Sequence, residues 1–296
     1  MPRLETLISG LSFAECPRWH DGRLYFSDFY TQQVLAVAMD GTVETIAKVP
    51  GQPSGLGFLP DGRMLIVSMR DRKILRRGHD SSLAMHADLS SLAPWHLNDM
   101  LVDHQGRAWV GNFGFDLMGG AKVTATNLIC VDPDGGARVA AKGLGFPNGM
   151  ALSPDGSILI VAETLMNRIS AFDIVSDVLG QRWTWAAFGN PPTSDGVADR
   201  LGQVDVAPDG ICLDVEGAIW VADAINGRLI RVARGGEILE EINTGELGAF
   251  ACMLGGDNGR TLFVCVAPTF DEAEASANHR AEIWITHVDV PRAGLP

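Results

Sequence analysis

Basic residues are scarce in this chain: 23 Lys and Arg stand against 36 Asp and Glu, a formal net charge of −13. That balance disfavours nucleic acid and anionic membranes as partners, since both are held by basic patches; a small or neutral substrate fits better. No apolar run reaches the roughly 18 residues a membrane helix needs. The amino terminus, MPRLETLISGLSF, has neither a basic segment leading into a long apolar stretch nor a small-residue cleavage site. No secretory signal is expected, and the cytoplasm is the expected location. No C-x-x-C pair occurs among the five cysteines, Cys16, Cys130, Cys212, Cys252 and Cys265, and an odd set of this kind reads as reduced core thiols. A GxSxG elbow, a P-loop, HExxH and a dinucleotide fingerprint are all missing. Covalent nucleophilic catalysis is therefore not expected.

What the chain has is a repeat. Six times a polar residue and a glycine separate two β-rich stretches: HDGRLYF, PDGRMLIV, HQGRAWV, PDGSILIV, VEGAIWV and DNGRTLFV. The glycines are Gly22, Gly62, Gly106, Gly156, Gly217 and Gly259, separated by 40, 44, 50, 61 and 42 residues. This is the period of a four-stranded propeller blade with insertions of varying length. With 34 Gly and 15 Pro among short strands, the fold class is all-β, a six-bladed β-propeller forming a single domain over residues 1–296. The last repeat has only three strands at the carboxyl end, so residues 4–9 should supply its outer strand and close the ring.

The repeat puts distant residues in register. Eight residues before the turn glycine stand Ser54, Asn98, Asn148, Asp209 and Ala251; in the first repeat, one residue shorter, the position is Glu15. Innermost propeller strands line the central channel, so these side chains should ring one of its mouths. No Lys or Arg occupies the six positions, and buried like charges without a partner are costly. A bound divalent cation resolves this, with Glu15, Asn148 and Asp209 as ligands and Asn98 as a further candidate. Oxygen-only ligands suit hard ions, Ca²⁺ first, then Mg²⁺ or Mn²⁺, over a structural Zn²⁺; a catalytic Zn²⁺ stays open. So few protein ligands leave coordination positions free for chemistry. The competing reading is that Asn and Asp before glycine in PNG and PDG are turn formers. Asp28, Asn112, Glu163 and Asp223 end the second strands; they either orient the ligands or, the preferred reading, are solvated strand ends. Two insertions, 113–126 and 195–206, should lie as loops at the same mouth.

The runs AECPRW, HLNDMLVDHQGRAWVGN, PNGMALSPDG and PDGICLDVEGAIWVADAINGRLIRV resemble the signature regions of the family that contains regucalcin (senescence marker protein), gluconolactonases and luciferin-regenerating enzyme. The resemblance spans essentially the whole chain. It implies a six-bladed propeller with one divalent metal in the channel and, most often, lactone hydrolysis. It also implies Glu15, Asn148 and Asp209 as metal ligands, Asn98 as a substrate contact next to Asp99, and Asp116 as a looser match to a substrate-contacting acid. Where sugar-lactonase members carry arginine, this chain has His96, which lacks the forked donor set. Less hydroxylated lactones are expected to be favoured over gluconolactone.

The expected function is thus a metal-dependent hydrolase opening a small lactone, with Asp209 as general base and His96 as second candidate, and with Asn98, His96 and Asp116 contacting substrate. The alternatives are a phosphotriester or other strained-ester hydrolase on the same scaffold, and a non-catalytic metal-binding propeller that docks a partner through its loops.

Overall fold

The structure is a computed structural model that describes residues 3–294. Six four-stranded sheets follow one another along the chain. In the first, strands Ala14–His20, Arg23–Asp28, Gln33–Val37 and Val43–Lys48 pair in order, all antiparallel. Blades two to five repeat this meander over residues 53–88, 97–144, 147–187 and 208–243. All six turn glycines have positive φ, between 70° and 84°, the conformation that the tight turn between first and second strands demands and that other residues reach only with strain.

Burial grades from the axis outward. Every residue of the inner strands Leu97–Val102, Pro147–Leu152 and Pro208–Leu213 is buried, because these strands face the channel and are flanked by neighbouring blades. The outer strand Val43–Lys48 is mostly exposed. Between blades the second strands pack large side chains, with Trp109, Trp220 and Phe263 wholly buried. α-Helix is confined, among the described residues, to the short segments Val197–Leu201 and Glu272–Asn278. No helix is long and apolar enough to cross a membrane.

The sixth blade closes as the sequence predicts. Strand Glu5–Leu11 pairs antiparallel with Ala281–His287, Glu5 opposite Ile285 and Leu11 opposite Ala281, outside Thr261–Ala267 and Gly248–Gly255. The first and sixth blades then meet through Trp19, stacked on Phe263 at 5.3 Å. Removing residues 1–10 is expected to expose the edge of Ala281–His287 and lower the melting temperature by roughly 10 °C or more. A truncated protein that melts with the full-length chain would show that the ring holds without this strand.

Candidate active site

The ring residues are presented by irregularities in the inner strands. In each of the first five blades the pairing of first and second strands slips by one residue where the ring residue sits: between Glu15 and Arg18, Pro53 and Leu56, Leu97 and Met100, Pro147 and Met150, and Pro208 and Ile211. A bulge of this kind re-aims side chains out of the ordinary alternation. In the sixth blade the slip falls between Ala249 and Ala251. The PNG that carries Asn148 and the PDG that carries Asp209 are not turns, contrary to the competing sequence reading: both residues lie within the strands Pro147–Leu152 and Pro208–Leu213. Their glycines answer a different need. A Cβ on Gly149 would stand 2.6 Å from the Asp209 carbonyl oxygen, and one on Gly210 2.6 Å from Ala251 Cα. Adjacent inner strands approach too closely there for any side chain, which draws Asn148 and Asp209 together at the axis.

The segments entering these strands are clamped by the acids that end the second strands. Asp28 accepts hydrogen bonds from the backbone N–H groups of Ser12 (3.0 Å) and Phe13 (2.9 Å). Glu163 accepts from Gly145 N (2.7 Å) and from Arg168 Nε (2.9 Å), and Asp223 from Ala207 N (3.1 Å) and Arg228 Nε (2.9 Å). Asn112 instead donates to the Asn127 carbonyl at 2.7 Å, within its own blade. All four are buried, so they are not the solvated strand ends preferred from sequence. The three acids fix the backbone two or three residues ahead of Glu15, Asn148 and Asp209.

At the ring itself negative charge is left over. Just below it Arg18 is buried against Asp99, Nη2 to Oδ1 at 2.8 Å, and also donates to the carbonyls of Leu56 and Met100. That pair neutralises itself, and nothing comparable serves Glu15 and Asp209. Glu15 Oε2 accepts from Cys16 N at 3.0 Å, yet burial, with Asp99 nearby, pushes the Glu15 carboxyl up to about 8. Burial, together with Glu15 and Asp99, raises Asp209 well above the carboxylate range. Asp209 Oδ1 is buried without a hydrogen-bond partner. Asn148 Nδ2 donates to Thr164 Oγ1 at 3.2 Å, and Thr164 Oγ1 in turn to the Pro208 carbonyl at 2.9 Å. The Asn148 amide nitrogen is thereby committed, leaving its oxygen free to face the ring; Asn98 is held likewise by Nδ2 donating to the Pro147 carbonyl at 3.3 Å. Among the described residues no group of three His, Cys, Asp or Glu side chains is placed to hold a metal. Two carboxylates and a carboxamide, with one orphaned oxygen, nevertheless fit a hard cation in charge and donor type.

Above the ring opens a cavity of about 140 Å³, bounded by Glu15, Asn98, Asn148 and Asp209 and by His96 on its wall. His96 is half-buried and stacks at 5.3 Å on Trp95; burial, with Arg70 nearby, lowers its pKa and keeps it neutral at pH 7. Asp116 does not line the cavity. Its carboxylate accepts from Gly119 N at 2.8 Å and shapes the loop that carries Leu117 and Met118 to the wall. Both expected insertions reach the mouth, through Leu117 and Met118 in one and Val197 and Leu201 in the other. A third was not anticipated: Phe270 and Glu272 come from the segment before and in helix Glu272–Asn278, where Glu272 is held by Arg70 Nη2 at 2.6 and 2.7 Å. Its local signal was there, an Asp271 cap accepting from Glu274 N and an acidic first turn.

Comparison with known proteins places this geometry among relatives. A family model described as the SMP-30/Gluconolactonase/LRE-like region matches residues 13–268. A 6-deoxy-6-sulfogluconolactonase of Pseudomonas putida is 26% identical over 95% of this chain and 93% of its own length. A pentonolactonase of Haloferax volcanii is 27% identical over 86% and 81% respectively. The solved structure of a calcium-binding protein, regucalcin, from Agrobacterium tumefaciens superposes with a TM-score of 0.78 at 20% identity, covering 98% of this chain and 95% of that one.

Proposed function

Because this chain belongs to the SMP-30/gluconolactonase/LRE-like family, we propose that it is a metal-dependent lactonase that opens a small lactone ring at the mouth of the channel. The observation that carries the reading is the uncompensated pair Glu15 and Asp209, with Asp209 Oδ1 unpartnered, at the floor of a largely apolar cavity. Glu15, Asn148 and Asp209 would hold one divalent cation, Ca²⁺ by donor type, which as a Lewis acid would polarise the lactone carbonyl. In the hydrolysis, a water oxygen bonds to the carbonyl carbon and the bond from that carbon to the ring oxygen breaks. Asp209 takes the proton from the attacking water and passes it to the ring oxygen, which leaves as a hydroxyl. Neutral His96 has a free nitrogen lone pair at pH 7 and is the second candidate for that base. Asn98 orients the substrate through its carboxamide. The aromatic walls exclude bulk water and so strengthen each polar contact at the floor.

The test is elemental analysis of purified protein, followed by a panel of lactones before and after chelation. One divalent ion per chain and loss of hydrolysis on its removal are expected. Undiminished hydrolysis by verifiably metal-free protein would end the metal-dependent reading.

A further inference from the structure

The walls of the cavity differ in character from its floor. Phe13, Phe29, Phe113, Phe146 and Phe250 line it, and they brace one another, Phe113 stacked on Phe146 at 4.7 Å and Phe13 edge-on to Phe250 at 4.9 Å. Rings held in this way form a fixed apolar surface. The polar groups around them are mostly spent within the protein. Asn98 donates to the Pro147 carbonyl, Thr164 Oγ1 to the Pro208 carbonyl, Tyr30 Oη to the Phe270 carbonyl at 2.6 Å, and Arg70 is turned to Glu272 at the rim. Besides Gln52 and His96, whose side chains make no hydrogen bond among the described residues, the lining keeps open only Asn98 Oδ1 beside the floor and Arg70 Nε and Nη1 at the rim.

A polyhydroxylated ring entering this space would turn several of its hydroxyls against the five aromatic rings, where no partner is offered. Each hydroxyl buried without one costs about tenfold or more in affinity. An aromatic or short alkyl group meets no such penalty.

We propose that the substrate is a small lactone carrying one apolar substituent, aryl or short alkyl, with the ring carbonyl at the Glu15–Asp209 floor and the substituent against the Phe13, Phe113, Phe146 and Phe250 walls. This rests on the lactonase reading and narrows it. The polyhydroxylated lactones are then poor substrates, and the apolar side chains Val197 and Leu201 of the short helix Val197–Leu201 belong to the specificity surface.

Two measurements separate the narrower claim from the broader. The first compares kcat/KM for 6-phenyl-δ-valerolactone and glucono-δ-lactone with the native metal-loaded protein. The second compares calorimetric affinities of the matching δ-lactams, which are not hydrolysed. At least about 30-fold preference for the phenyl compound is expected in both. Leu201→Asn, in the short helix Val197–Leu201 that contains no buried residue, should reduce the preference several-fold, and His96→Arg should raise kcat/KM for the glucono compound. Hydrolysis of both lactones without preference, or a preference for the glucono compounds, overturns this proposal and leaves the lactonase reading intact. Binding of the phenyl lactam with no lactone hydrolysed supports the apolar pocket and defeats the lactonase reading. A substrate ranking unchanged in both variants, each folded and metal-loaded, also overturns the proposal.

Discussion

Asp209→Asn is expected to remove the bound divalent ion and to lower lactone kcat/KM by roughly 1,000-fold or more, while the metal-free variant melts no lower than the metal-free wild type. The two effects have one origin. Asp209 is buried, Oδ1 has no hydrogen-bond partner, and Glu15 and Asp99 add to the repulsion. Such a carboxylate destabilises the folded chain unless a cation sits beside it. Asparagine keeps the shape and removes the charge, so the folded state loses a penalty together with its ligand. Glu15→Gln should behave in the same way, since the amide oxygen can still accept from Cys16 N. Metal content by elemental analysis, kinetics and calorimetric melting of stripped protein check the set. Full occupancy in Asp209→Asn would dismiss this residue as a ligand.

Chelated protein is expected to lose stability as pH rises from about 5 to 8, whereas the metal-loaded protein should not. The sign follows from the direction of the shifts. Glu15 stands at about 8 in the folded chain against 4.5 ordinarily, and Asp209 is also raised, both chiefly by burial. Between those values the folded chain binds more protons than the unfolded one, so stability is greatest below the ordinary value and is lost as pH climbs toward the raised one. The loss is on the order of 4 kcal/mol for Glu15, or very roughly 10 °C in melting temperature. His20, His86 and His96 are lowered by burial, and their contribution runs the opposite way, falling away as pH drops. They are present with and without the ion, so the difference between the two melting profiles isolates the ring. Profiles that stay parallel from pH 5 to 8 would mean that Glu15 and Asp209 are not what the ion compensates.

Much of the fold was legible because the turn glycines recur in phase and only the insertions vary. Counting back from Gly217 and Gly156 reaches Asp209 and Asn148, and the structure brings both to the channel mouth beside Glu15. The meaning of Gly149 and Gly210 was not legible. Nothing local separates a glycine that permits a turn from one that lets a neighbouring strand pass, and only the approach of Asp209 and Ala251 decides it. Glu163 and Asp223 were misjudged for a related reason: acids at strand ends are usually solvated, and their partners Gly145 and Ala207 lie 16 to 18 residues away with no spacing to announce them. Asp116 matched by position alone, and the structure occupies it with its own loop. The aromatic walls were there to be read and were missed: Phe13 and Phe146 stand two residues before Glu15 and Asn148, and Phe29 and Phe113 directly follow Asp28 and Asn112, so the register that gives the ring also gives these positions. Phe250 falls outside that register, and its place in the wall exists only in three dimensions.

Strand Glu5–Leu11, which completes the sixth blade, also sets a timetable for the nascent chain. It leaves the ribosome ahead of all six inner strands and must wait for Ala281–His287, on the far side of the ring's closure, before it has a partner. Glu15 waits likewise for Asn148 and Asp209. Until the final hairpin emerges, the growing propeller is an open crescent with two unsatisfied edges, and long-range closures of this kind are slow. An ion that prefers the assembled ring therefore rewards completion, and its capture during translation would mark the moment at which the crescent becomes a circle.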